Sequence, residues 1–177
     1  MTHDEILALS AEIRDTMTAH GRTVSTAESC TSGQISALLT AVSGSSGYFQ
    51  GGITAYQNHL KTKFLGVSAT DIEKYDVVSR QVVEQMVRGA CRMFGTDYAL
   101  ASTGYADTGT DRIPSGTIWI AWGSCSEVHS LCLQNDCGRE ENTRAAAERA
   151  VCEFAQWSKE LGPDTAPRPD SNLCHPH

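Results

Sequence analysis

No apolar run in the 177-residue chain approaches the ~18 residues that a membrane-spanning helix needs, so the sequence predicts no membrane span. A secretion signal is equally lacking. Met1-Thr2-His3-Asp4-Glu5 has no basic start and leads into an amphipathic pattern, which points to a cytoplasmic protein. Among seven cysteines there is no Cys-x-x-Cys unit, and the closest pair, Cys132 and Cys137, is separated by four residues. That spacing speaks against zinc, and no metal or other cofactor is expected. An odd cysteine count without a signal reads as reduced thiols, several of them packed as small hydrophobes. Cations are in deficit, 14 Lys and Arg against 21 Asp and Glu, for a net charge of −7. Nucleic acid and anionic membranes are thereby disfavoured as partners. An anionic metabolite would have to be held by local N–H groups and a few arginines.

What is present fits one α/β domain over residues 1–161, followed by a polar tail, 162–177, expected to be mobile; His175 and His177 in it receive no role. Ile6, Leu9, Ile13 and Met17 recur at helical spacing after a Thr2/Glu5 capping box, with Gly21 beyond the end. A strand Thr23–Ala27, a helix from Thr31 to Val42 and a turn over Ser43–Gly47 follow. Tyr48–Tyr56 predicts a strand in its second half, then a short helix Gln57–Leu65 stopped by Gly66. Ser79 caps a helix to Phe94 that Gly95 ends, and Tyr98–Ser102 reads as a buried parallel strand. Gly116–Trp122 and Glu127–Leu133 form a hairpin, and Glu140–Leu161 is the last helix. The alternation predicts a three-layer α/β/α sandwich around a mostly parallel mixed sheet.

Ligands in such sheets bind at the carboxyl ends of strands. Three polar loops share that edge: Glu28–Gly33, Tyr56–Lys61 and Thr103–Gly109. The first is the most informative, because Ser29, Thr31 and Ser32 sit where a helix begins and its leading N–H groups lack partners. Each hydroxyl serves equally well as a plain N-cap. Cys30, at the same place, is the thiol whose pKa a helix start would lower, unless it packs behind the loop.

With these loops in view, the chain resembles the CinA C-terminal domain family, whose enzymatic members are nicotinamide-nucleotide amidases that release ammonia from nicotinamide mononucleotide. The resemblance runs from about Leu7 to Leu161. It rests on Thr26-Ala27-Glu28-Ser29-Cys30-Thr31-Ser32-Gly33, on Gly44-Ser45-Ser46, on Tyr56-Gln57-Asn58-His59-Leu60-Lys61 and on Leu65-Gly66-Val67. It implies a Ser/Lys dyad of Ser29 as nucleophile and Lys61 as base, with the Tyr56 hydroxyl relaying the proton or orienting the amine. Substrate contacts are expected from Glu28, Thr31, Ser32, Gly33, Ser46, Thr103, Gly104 and Arg144. Ser29 and Lys61 both follow strands that would be parallel and adjacent; Ser46 precedes its strand and is the second choice as nucleophile. Backbone amides near Thr31 and Ser32, or at Thr103-Gly104, are candidates for an oxyanion hole. The partner implied is a small nucleotide, and a homodimer is the family expectation.

The chain departs from the family's pattern in three places. Its Thr-Gly loop reads Thr103-Gly104-Tyr105-Ala106-Asp107-Thr108-Gly109 where the family has Ile-Ala-Gly-Pro-Gly-Gly after Thr-Gly, which puts a carboxylate where an anion would lie. Ile113-Pro114-Ser115-Gly116 replaces a Lys-Pro-Val-Gly pattern, and Gly138-Arg139-Glu140 replaces Gly-Asp-Arg. Two alternatives therefore stand beside the amidase: a catalytically weak or inactive nucleotide-binding or regulatory domain of the same fold, and an amidase for a different small amide.

Overall fold

The computed structural model describes residues 1–162. The expected tail, apart from Gly162, lies outside the described residues. Helix α1 (His3–Ala19) opens with the Thr2/Glu5 capping box, both reciprocal bonds formed, and the chain enters β1 (Val24–Glu28). Then come α2 (Gln34–Leu39), a single 3-10 turn at Ser45–Gly47, β2 (Phe49–Thr54), α3 (Asn58–Leu65), α4 (Ala69–Tyr75) and α5 (Arg80–Phe94). Strands β3 (Tyr98–Tyr105), β4 (Thr117–Gly123) and β5 (Val128–Gln134) precede the last helix, α6 (Arg139–Ser158).

The five strands lie in the order β2-β1-β3-β4-β5. β1 is parallel to both its neighbours and β4 antiparallel to both of its own, so four strands run one way and β4 opposes them. Helices α1, α2 and α6 cover one face, where Ile13, Met17, Ile35, Leu39, Ile118, Ile120 and Phe154 form an apolar cluster. Helices α3, α4 and α5 cover the other, over Leu65, Val82, Val83, Met86, Val87 and the alanines of the sheet. In β3, Leu100 faces the first cluster while Ala99 and Ala101 face the second, the period-2 alternation of a strand between two layers.

Every residue of β1 is buried, although only Val24 and Ala27 are apolar. The small hydroxyls are satisfied internally: Ser25 Oγ meets Thr96 Oγ1 at 2.7 Å, and Thr26 Oγ1 meets Ser36 Oγ at 2.7 Å. Burial without such partners would cost each group about 1–3 kcal/mol. Their small volume also lets the chain pack tightly: a Cβ on Gly52 of β2 would lie 2.0 Å from Thr26 Oγ1.

Several element bounds differ from the sequence reading, each for a local reason. The helix expected from Thr31 begins only at Gln34, because Ser32 and Gly33 adopt φ of 51° and 97°, left-handed values no α-helix contains. It ends at Leu39 rather than Val42. β2 starts earlier than the second half of Tyr48–Tyr56, running Phe49–Thr54 as an edge strand of alternating burial that tolerates Gly51 and Gly52. β3 runs past Ser102 to Tyr105 because β4 pairs along it, Thr103 with Trp119 and Tyr105 with Thr117. α4 was not anticipated. It is seven residues long and has no buried side chain, so it leaves little periodic signal. α6 stops at Ser158 instead of Leu161.

Candidate active site

β1 hands the chain to α2 on one face of the sheet, and its neighbour β2 hands it to α3 on the other. Connections leaving in opposite directions open a crevice at the carboxyl ends of these two strands, the place where α/β sheets bind ligands. The turn after β1 is built around Glu28. Its buried carboxylate accepts from Thr31 Oγ1 at 2.6 Å, from the amides of Gly33, Ile35 and Ser36 at 2.9, 3.0 and 2.9 Å, and from Ser36 Oγ at 2.8 Å. A carboxylate bonded in this way complements the exposed N–H groups and positive end of α2. The leading amides of α2, at Gly33, Ile35 and Ser36, are therefore already filled by the chain itself.

Held by this turn, Ser29 donates its amide to Ser102 O at 3.1 Å and points its hydroxyl into the crevice. The amide of Thr31 bonds to no acceptor among the described residues. From the opposite wall, Lys61 on the second turn of α3 reaches across. Its Nζ donates to Ser29 Oγ at 3.0 Å and to the Tyr56 carbonyl at 3.0 Å. Lys61 is 1% exposed and has no ion pair among the described residues, and burial pulls its ammonium down from 10.5 to about 8. Of the two readings of Cys30, the packed one agrees with the structure: burial pushes its thiol up to about 12.

The third wall is the end of β3 with the chain beyond it. Thr103 anchors there, its hydroxyl donating to Val77 O at 3.0 Å, and Gly104 follows. The rim is a three-residue polar chain: Arg139, the first residue of α6, donates to Tyr56 Oη at 2.6 Å and to Asp107 Oδ1 at 2.9 Å. All three are about half exposed. Together these walls enclose a cavity of about 220 Å³, with Ser29 and Lys61 in its lining and Asn58, Val77, Val78 and Tyr105 contributing.

Of the residues grouped with the site by sequence, Ser29, Tyr56, Lys61, Thr103 and Gly104 line the cavity, and six others do not. Tyr56 touches the lysine through its carbonyl; its hydroxyl, expected to serve the amine, is held by Arg139 instead. Glu28 and Thr31 are buried and bonded to each other, Thr31 also to Ser102 Oγ at 2.7 Å. Ser32 and Gly33 shape the left-handed turn outside the wall. Ser46 sits before β2, at the opposite edge of the sheet, because a parallel strand carries its preceding turn away from its carboxyl end. Arg144 lies along α6, paired to Glu141 and Glu148 on the surface. The cation that does reach the cavity is Arg139, which the sequence reading did not place there; the displaced arginine of Gly138-Arg139-Glu140 was the available signal. Val77 and Val78 had no such signal, since they follow the unanticipated α4.

The CinA C-terminal domain model matches residues 6–157. A CinA-like protein of Cytophaga hutchinsonii is 44% identical over 128 residues, 71% of this chain but 31% of the relative, so the chain spans about a third of that relative's length. A nicotinamide-nucleotide amidohydrolase PncC of Pseudomonas putida is 38% identical over 159 residues, covering 89% of this chain and 99% of the relative. Among solved structures, the competence damage-inducible protein A of Klebsiella pneumoniae superimposes with a TM-score of 0.84 at 27% identity, over 89% of this chain and 99% of that one. Sequence model, full-length relative and fold agree across nearly all the described residues, and the chain belongs to the CinA C-terminal domain family.

Proposed function

We propose that this protein is an amidohydrolase that cleaves the carboxamide of nicotinamide mononucleotide, giving the carboxylate and ammonia through a Ser29 acyl-enzyme. The single observation that carries the reading is the 3.0 Å contact between Lys61 Nζ and Ser29 Oγ inside a cavity open to a small molecule. The full-length relationship to a protein named as a nicotinamide-nucleotide amidohydrolase supplies the substrate class.

With a pKa of about 8, roughly a tenth of the Lys61 amines are neutral at pH 7. In that form the amine accepts the Ser29 proton as Oγ attacks the carboxamide carbon. The negative charge on the carboxamide oxygen then falls to nearby donors, of which the Cys30 backbone lies in the cavity lining beside Ser29. Collapse breaks the C–N bond, and the Lys61 ammonium returns the proton to the leaving ammonia. Water then attacks the ester with Lys61 again taking the proton, which restores the Ser29 hydroxyl and releases the acid. The Tyr56 carbonyl keeps the amine aimed at Ser29 throughout.

The test is ammonia release from nicotinamide mononucleotide by the wild type, Ser29→Ala and Lys61→Ala. Turnover by the wild type, with each variant slower by about a thousandfold or more, is expected. Wild-type turnover in both variants would remove the dyad. A wild type that binds the nucleotide without releasing ammonia would identify the chain as a non-catalytic nucleotide-binding domain.

A further inference from the structure

Cys91 and Cys125, far apart in sequence, lie where α5 meets the β4–β5 turn, away from the cavity. Cys91 is fully buried in α5, with Sγ 4.0 Å from Gly123 O at the end of β4. Cys125 sits in the tight β4–β5 turn closed by the Ser124 amide on Glu127 O at 2.7 Å, and its Sγ lies 3.8 Å from Arg88 O of α5. Each sulfur thus rests against the backbone of the other's element. Gly123 pairs with Ala99 at the start of β3, whereas the cavity lies at the Thr103–Tyr105 end.

From this juxtaposition we infer that Cys91 and Cys125 form an oxidisable dithiol, which a hydroperoxide converts to a disulfide fastening the β4–β5 turn to α5. Cys125 is the attacking sulfur, being half-buried where Cys91 is sealed. The neighbouring Cys91 thiol, with the Arg92 and Arg88 guanidiniums nearby, holds the Cys125 thiol below the ordinary value and so favours the nucleophilic thiolate. The thiolate attacks one peroxide oxygen and breaks the O–O bond, leaving a sulfenic acid on Cys125 and one water or alcohol. The Cys91 sulfur then displaces hydroxide from that sulfenic sulfur, its proton leaving as a second water. Two thiols lose two electrons and two protons, and the peroxide gains them. Bond formation needs the sulfurs to close to ~2.05 Å. Cys30, beside Ser29, has the opposite setting, sealed and pushed up to about 12.

The full-length protein is treated with a few equivalents of hydrogen peroxide, alkylated and digested without reductant, and its cross-linked peptides are mapped by mass spectrometry. A Cys91–Cys125 cross-link that dithiothreitol reverses is expected, and Cys125→Ser should abolish it. Cys91→Ala, which keeps the turn thiol, should instead trap a dimedone-reactive sulfenic acid on Cys125. The inference fails if Cys91 stays a free thiol while Cys125 proceeds to sulfinic acid. It fails equally if both stay reduced while the exposed Cys137 is oxidised.

Discussion

Lys61 has a charged group where the fold offers two neutral oxygens and apolar walls, and that poverty of partners is what makes it useful. Because its folded pKa is depressed from 10.5 to about 8, the unfolded chain binds the proton more tightly. The full cost, about 3 kcal/mol, therefore applies below pH 8 and is relieved as pH rises from 8 towards 10.5. Lys61→Met removes the buried charge while filling the same space. At pH 7 it should raise the urea-unfolding free energy by about 1–2 kcal/mol, less than the whole cost because two acceptors lose their donor, while activity vanishes. In the wild type, log kcat/KM should climb with unit slope up to a pH of about 8 and level off above it, since the neutral amine is the working form in the proposed mechanism. At the rim, Asp107 occupies Arg139 in the absence of substrate. An exposed pair of this kind is worth at most about 1 kcal/mol, so a phosphate can displace it, though at some expense of affinity. Asp107→Asn should lower KM for the phosphorylated nucleotide by about threefold to tenfold with kcat unchanged, and should leave KM for the unphosphorylated nucleoside where it was.

Among the elements, α3 is placed by α5 more than by the sheet. A Cβ on Gly89 of α5 would lie 2.2 Å from the Leu65 carbonyl at the end of α3, so the missing side chain allows the two helices to touch through backbone. Gly89→Ala gains helix propensity but must push α3 outward, carrying Lys61 away from Ser29. A loss of about 1–3 kcal/mol in unfolding free energy and of at least about tenfold in kcat is expected, read from urea melts and steady-state rates. The same contact explains what was readable beforehand. α1 and α5 announced themselves through a capping box, a serine cap, stop glycines and a full apolar stripe, all local signals. Ser29 and Lys61 came from the family resemblance, and the placement of the strands before them agreed with it. α4 and the start of α2 did not, because one buries nothing and the other is delayed by two left-handed residues that periodicity cannot register. Arg139 and Arg144 exchanged expected places for a related reason: only the direction in which α6 leaves Gly138 decides which of its arginines faces the rim.

For the molecule as a whole, two apolar clusters share one sheet, with β1, β3 and β4 contributing to both. Neither face can melt while the other keeps its strands, so unfolding should be a single transition in which far-UV circular dichroism and tryptophan fluorescence coincide. Gly89→Ala, on the α5 face, should move by the same amount the midpoint reported by Trp122 and Trp157, which lie with the opposite cluster. A biphasic melt would mean that the layers are independent. The carboxylate of Glu28 has a further bearing on how this architecture diversifies. By plugging the start of α2, Glu28 takes the Gly33, Ile35 and Ser36 amides out of use for an anion. Discrimination among ligands is thereby delegated to interchangeable side chains on the outer lip, where drift can retarget the crevice without disturbing the scaffold that brings Lys61 to Ser29.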